Sequence, residues 1–296
     1  MRGRRYHDGV STNPTTQPVI GPTGRPVQDF AVPAPLDGHG PARIITLCNQ
    51  KGGVGKTTTT INLGATLAEY GRRVLAVDFD PQGALSAGLG IRTHDAPNVY
   101  DLLIGSIKDP HEVIQASGVP NLDVIPANID LSAAEVHLVT EVAREQILAS
   151  VLRKVSSDYD VILIDCQPSL GLLTVNALTA AHGVLIPLEC EYFALRGVAL
   201  LVETIEKVRD RLNPALTLDG ILATMYDSRT LHSREVMERV VDAFGDSVLD
   251  TVIGRTVKFP DATVSARPIT QTAPEHAAAA AYRALARELV ARGAVA

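Results

Sequence analysis

Cysteine is scarce in this chain of 296 residues, and the three present, Cys48, Cys166 and Cys190, are widely scattered. No pair has the CxxC spacing of a zinc site, and three scattered thiols build no disulfide framework, which fits a reducing cytoplasm. Nowhere do 18 apolar residues follow one another, so no membrane-spanning helix is expected. The N-terminal arginines have no apolar stretch behind them, so no secretory signal is expected. Glycine and proline, with 23 and 18 residues, are at ordinary levels, which excludes collagen-like and wholly disordered chains. An excess of positive charge is also lacking, since 27 Lys and Arg face 33 Asp and Glu for a net charge of -6. That balance argues against a protein that coats nucleic acid with its whole surface, but it leaves room for a local basic patch.

Hydrophobic residues make up 46% of the chain, enough for one large α/β domain or two small ones. Residues 1–42 stand apart. They hold Pro14, Pro18, Pro22, Pro26, Pro33, Pro35 and Pro41 and few large apolar side chains, so they read as a disordered proline-rich arm. Arg2, Arg4 and Arg5 could anchor that arm to DNA, membrane or a partner; otherwise it is a solvated tail. From residue 43 to 296, apolar strand-like runs alternate with helical patterns. Strands are expected over 44–48, 74–78, 122–127, 160–165, 183–188, 218–226 and 251–253. Helices are expected near 56–70, 130–155, 170–181, 194–212, 230–244 and 275–292. Strands that are apolar throughout are buried on both faces, so the fold is read as α/β: a doubly wound, mostly parallel sheet flanked by helices.

The segment N49-QKGGVGKTTTT-60 follows the first strand and opens the first helix. Glycines let backbone N–H groups converge on phosphate oxygens, and the helix N-terminus adds partial positive charge. Gly52, Gly53, Val54, Gly55, Lys56, Thr57 and Thr58 therefore form a candidate nucleotide loop. Lys56 would reach the β- and γ-phosphates, and the Thr57 hydroxyl would meet Mg2+. A second lysine, Lys51, lies inside the loop. One lysine suffices for the phosphates, and a further cation aimed across a subunit boundary would stabilise charge in the transition state. VLAVDFDPQG sets Asp78 and Asp80 at the carboxyl end of the second strand with side chains pointing the same way, where ligands bind in open α/β sheets. DYDVILIDCQPSLG runs Val161–Ile164 into Asp165, the strand-end aspartate expected to hold Mg2+. Cys166 beside it has no histidine neighbour in sequence and reads as a small buried thiol.

KGGVGKTT, DxDPQ and the apolar strand ending at Asp165 resemble the deviant Walker A ATPases of the ParA/MinD family, over roughly residues 43–292. The resemblance implies a P-loop ATPase that uses ATP and Mg2+. It implies Lys51 as the lysine that contacts the nucleotide of the other subunit in an ATP-bound homodimer. It implies Asp80 as the catalytic residue that positions water, and Thr57, Asp78 and Asp165 as the magnesium set. TMYDSRT at 224–230 and IGRTVKFPDA at 253–262 extend the likeness. By it, Met225 and Asp227 fall at the adenine pocket, and Arg229 and Arg255 fall where chromosomal ParA (Soj) proteins contact DNA, with Arg234, Lys258 and Arg267 as helpers. The sequence departs from the family pattern at Gln167, Gly254 and Asp261, where proline, proline and glutamate are usual. Between Asp227 and Arg267 there are six basic and seven acidic residues, so a DNA patch would need spatial segregation of charge.

Among branches of the family, a MinD-like membrane helix should be bulky and apolar on one side. AYRALARELVARGAVA offers Leu285, Leu289 and Val290 without Phe or Trp, so docking on the core is expected and no membrane partner. The cysteines do not suit a cluster-bridging reductase, and only Tyr282 lies where a tyrosine kinase of related fold carries its cluster. The ParA branch implies non-specific nucleoid DNA and a ParB-type centromere-binding protein as partners, in the cytoplasm, serving chromosome or plasmid partition. The alternatives are a MinD-like membrane-associated positioning ATPase, and a regulatory ParA-like ATPase acting on replication or condensin.

Overall fold

The computed structural model describes residues 18–191 and 194–295. Seven strands form one sheet: β1 (Arg43–Leu47), β2 (Val74–Phe79), β3 (Gln115–Ala116), β4 (Leu122–Ile125), β5 (Val161–Cys166), β6 (Gly183–Glu189) and β7 (Thr217–Thr224). Their order is β3-β4-β2-β5-β1-β6-β7, and every pairing is parallel except the short edge β3–β4. The strands bury both faces by strict alternation. In β5, Val161 and Leu163 join one core, while Ile162 and Ile164 join the other.

Eleven helices among the described residues cover the sheet. They are α1 (Lys56–Glu69), α2 (Ala84–Gly88), α3 (Val99–Ile104), α4 (Ala134–His137), α5 (Ile147–Arg153), α6 (Leu172–Ala180), α7 (Ala194–Arg211), α8 (Leu231–Phe244), α9 (Lys258–Val264), α10 (Ile269–Thr272) and α11 (Ala277–Ala291). The core on one face includes side chains of α1, α2 and α11, and the core on the other those of α3, α5, α6, α7 and α8. Leu285 and Leu289 are completely buried, and the Tyr282 hydroxyl lies 3.3 Å from that of Thr59 on α1. The apolar side of α11 is therefore spent on the core. No helix among the described residues is long and apolar enough to cross a membrane.

Three expectations are corrected. The arm is not without structure over residues 18–42. Val27 N–H bonds Val19 O at 2.8 Å to form a small hairpin, Arg25 donates to Val248 O at 2.6 Å and pairs with Asp250 at 3.1 Å, and Ala34 O accepts from Arg72 at 2.9 Å. His39 and the Gly40 N–H both reach Asp160 at 2.8 Å. A proline-rich segment with no core of its own is held by polar groups of the domain. The rest of that call, residues 1–17 with Arg2, Arg4 and Arg5, lies outside the described residues.

The single helix expected over 130–155 is broken. Ala143 takes the left-handed φ of 54°, and the Asn176 side chain on α6 binds Arg144 O at 2.8 Å and Leu148 N–H at 3.2 Å, restarting the chain as α5. Residues 251–253 are not a strand. Leu249 N–H and Ile253 N–H do bond to Ile221 O and Ala223 O of β7. The amides of Asp250 and Thr251 turn instead to the buried Glu288 carboxylate, both at 2.8 Å, and the segment bulges from the ladder.

Candidate functional site

The order β2-β5-β1 brings three strand ends together. Leu47 pairs in register with Asp165, and Asp165 with Asp78, so the loop after β1 faces both aspartates. Residues 48–55 wrap into a cradle that ends at α1. Gly53 and Gly55 adopt φ of 75° and 85°, the left-handed region where a side chain is strained. No side chain caps α1, so its first N–H groups point into the cradle. Lys56 is folded back across the loop, its Nζ 3.1 Å from Asn49 O and 3.2 Å from Lys51 O. Burial lowers its pKa, and the charge of Asp165 opposes that fall. Val54 is buried, its carbonyl accepting the Thr224 hydroxyl at 2.9 Å. Gly52 is exposed, and Thr57 and Thr58 are half-buried.

Thr57 Oγ1 donates to Asp165 Oδ2 at 2.7 Å, and Thr60 Oγ1 lies 3.4 Å from Oδ1. Burial, with the neighbouring charge of Asp78, raises the Asp165 carboxyl to about 8. Burial raises Asp78 to about 6, against hydrogen bonds from the Ser86 hydroxyl and N–H at 2.7 and 2.8 Å. Two buried acids side by side want a cation, and a hydroxyl with carboxylates is the hard oxygen set that suits Mg2+. Among the described residues no group of three or more His, Cys, Asp or Glu could hold a metal alone. Thr57 and Asp165 would touch Mg2+ or its water, while Asp78 is turned to Ser86 and acts at one remove. Asp80 lies half-buried beyond Asp78, its Oδ1 accepting the Gln82 N–H at 2.9 Å.

Beside the loop is a cavity of about 490 Å³, lined by Gly55, Thr58, Met225, Phe259, Pro260 and Tyr282 among others. Its volume and largely apolar lining suit a purine. Met225 lines it, and the neighbouring hollow too, at a left-handed φ of 51°. Asp227 instead lines the neighbouring hollow with Glu189, Glu191 and Arg255, and holds Arg229 through two bonds of 2.9 and 2.8 Å. Hydrogen bonds from Arg229 hold the Asp227 carboxyl down at about 2. Arg255 reaches Glu189 at 3.0 Å. Arg255 lines that hollow and Arg229 is tied to its Asp227, with side chains 65% and 87% exposed. Lys51 stands on its edge, bonded to Glu189 at 3.0 Å and to Glu191. Cys166 is buried against Thr46 at 3.0 Å, and burial pushes its thiol up to about 12.

The AAA domain family model matches residues 42–218. The chromosome-partitioning ATPase Soj of Treponema pallidum is 50% identical over 84% of this chain and 98% of its own. The chain belongs to the ParA/Soj family of P-loop ATPases. An uncharacterised Mycobacterium tuberculosis member is 59% identical over 97% of this chain and 92% of its own. A Mycobacterium smegmatis structure, titled cobyrinic acid a,c-diamide synthase with bound ADP and magnesium, has a TM-score of 0.76 at 42% identity, covering 86% and 96% of the two chains. Its named activity is said of that protein. For this ParA/Soj member the cradle, the acid pair and the cavity fit ATP and Mg2+.

Sequence reasoning missed Ser86, which fixes Asp78, and Phe259 and Tyr282, which wall the cavity. It also missed Glu189 and Glu191. Only Glu189 carried a signal, as a carboxylate at the carboxyl end of an otherwise apolar strand. Gln167, unusual for the family, ties the loop after β5 to Glu135 of α4 at 3.2 Å.

Proposed function

We propose that this ParA/Soj member is a nucleotide switch that moves or positions DNA cargo. ATP and Mg2+ bring two copies together face to face, and the closed pair binds duplex DNA without regard to sequence. A ParB-type centromere-binding partner then stimulates hydrolysis and the pair separates, so the protein works in the cytoplasm on the nucleoid during chromosome or plasmid partition. The observation that carries this reading is the division of labour between the lysines. Lys56 is folded into its own cradle, whereas Lys51 points out of it at 43% exposure, on the side where a second copy would face it, and is held there by Glu189 and Glu191. Such a cation would meet charge developing on the partner's phosphates. Asp80 would orient the attacking water, Lys56 would neutralise the phosphates, and Thr57 with Asp165 would steady the metal.

For DNA, Arg229 and Arg255 of one subunit supply few phosphate contacts, and the paired subunits double them. Affinity should fall with salt at about -0.9 log units per neutralised phosphate for each log unit of salt. Phosphate contacts carry no base information, so binding is expected to be sequence-independent. The burial of Leu285 and Leu289 against the core favours DNA over a membrane surface. Co-sedimentation with duplex DNA or with anionic liposomes, each with ATP, tests the choice. DNA binding that needs ATP and is weakened in Arg255→Glu supports the reading, and liposome binding without DNA binding overturns it.

A further inference from the structure

We propose that Glu189 and Glu191 form a latch that holds Lys51 inside its own subunit, so that the pairing of two subunits must first break it. The inference rests on the reading of Lys51 as the residue that crosses between subunits. Lys51 Nζ is taken by Glu189 Oε2 at 3.0 Å and by Glu191 Oε2, two carboxylates at and just past the end of β6. Partial burial works against the ammonium, but the hydrogen bonds it donates to Glu191 and then Glu189 outweigh it and raise its pKa. The Glu191 carboxyl is lowered in turn, chiefly by its bond to Lys51.

Glu189 gives the latch its reversibility. Its side chain is only 13% exposed, and a carboxylate so far from water would be costly to leave without any cation. Its second oxygen, Oε1, is held by Arg255 at 3.0 Å from the segment after β7. When Lys51 swings out, Glu189 keeps a counter-ion and stays where it is. Glu191 is more than half exposed and returns to water. The cost of opening is therefore modest, of the size of partly exposed ion pairs rather than a stranded charge. It is met twice per dimer, once in each subunit. A latch of this size sets a threshold: nucleotide must supply enough new contact for Lys51 across the interface to exceed what its own glutamates give.

The test compares the full chain with Glu191→Gln and with Glu189→Gln/Glu191→Gln. Dimerisation is followed by sedimentation with a slowly hydrolysed ATP analogue and Mg2+. The protein concentration for half dimerisation should fall about threefold in the single variant and about tenfold in the double. Glu203→Gln, which removes the same charge from an exposed pair on α7, should leave it unchanged. Without nucleotide, acylation of the Lys51 amine, read by mass spectrometry, should speed up several-fold in both latch variants. If the parent dimerises but the latch variants do so at the same or higher concentration, the latch is overturned and the switch reading survives. If the parent fails to dimerise at any concentration with the analogue, both are overturned.

Discussion

Replacing Asp165 by asparagine should make the protein more stable and less useful, and the size of the gain can be worked from the site. Asp165 is completely buried beside Asp78, and burial with that neighbouring charge lifts its carboxyl from 3.8 to about 8. The folded protein therefore binds more protons than the unfolded chain between about pH 4 and pH 8. Whatever stability this carboxyl gives is complete below about pH 4 and is lost as pH rises through about 8. One pH unit is worth about 1.4 kcal/mol, so a rigid site would lose several kcal/mol over that window. Relaxation and entering water reduce this to about 2 kcal/mol. Asparagine keeps an acceptor for the Thr57 hydroxyl and removes the charge. Without Mg2+ and near pH 8, Asp165→Asn should melt about 4–8 °C above the parent, and the gap should close near pH 4. Mg2+ with ADP should reverse the order. The parent should gain about 2.7 kcal/mol at a hundredfold excess over its dissociation constant, and the variant much less. Thermal melts by circular dichroism at the two pH values, with and without Mg2+ and ADP, read all four corners. A variant that melts below the parent near pH 8 without metal would refute the reasoning.

The phosphate loop, its two lysines and the strand-end acids were legible because backbone chemistry ties them to fixed spacings. A cradle needs glycines at given offsets before a helix, and a strand end needs an acid after a run of apolar residues. The cavity was only half legible. Met225 could be placed by likeness to the family, but Phe259 and Tyr282 come from α9 and α11, and their meeting at 5.8 Å is a product of packing. Asp227 was placed in that cavity and lies outside it, because an exposed arginine two residues on captures its carboxylate. The strap over 18–42 was illegible for a different reason. Composition says whether a segment can build its own core, and this one cannot. It says nothing about carboxylates such as Asp160 and Asp250 waiting on a neighbouring surface. The break at Ala143 was hidden in the same way, since the cause is Asn176, about thirty residues downstream.

Lys56→Ala should lose ATP binding itself, whereas Lys51→Ala should keep ATP binding and lose nucleotide-dependent pairing, as read by calorimetry and sedimentation. Equal loss of ATP affinity in both, with pairing intact, would contradict the division between them. Asp80→Ala should bind ATP and pair normally while phosphate release falls about a hundredfold, since a water-positioning group acts mainly in the transition state. Normal turnover in that variant would remove Asp80 from the chemistry. Deleting residues 1–42 should destabilise the domain and also weaken the nucleotide site it does not touch. The strap gives Asp160 two bonds, from His39 and Gly40, and gives Asp250 and Val248 O the Arg25 guanidinium. At about 0.5–1.5 kcal/mol for each bond, less the cost of ordering an extended segment, the net loss should be about 2 kcal/mol. Val248 and Asp250 begin the stretch that runs through Ile253 and Arg255 to Phe259, so the loss falls at the root of the cavity wall. That root is otherwise held by the bonds of Leu249 and Ile253 to β7 and of the Asp250 and Thr251 amides to Glu288, so its loosening is partial. ADP affinity should therefore drop a few-fold while Lys56 and the cradle keep their geometry. A truncated chain that melts with the full-length protein and binds ADP equally would show that residues 18–42 merely lie on the surface.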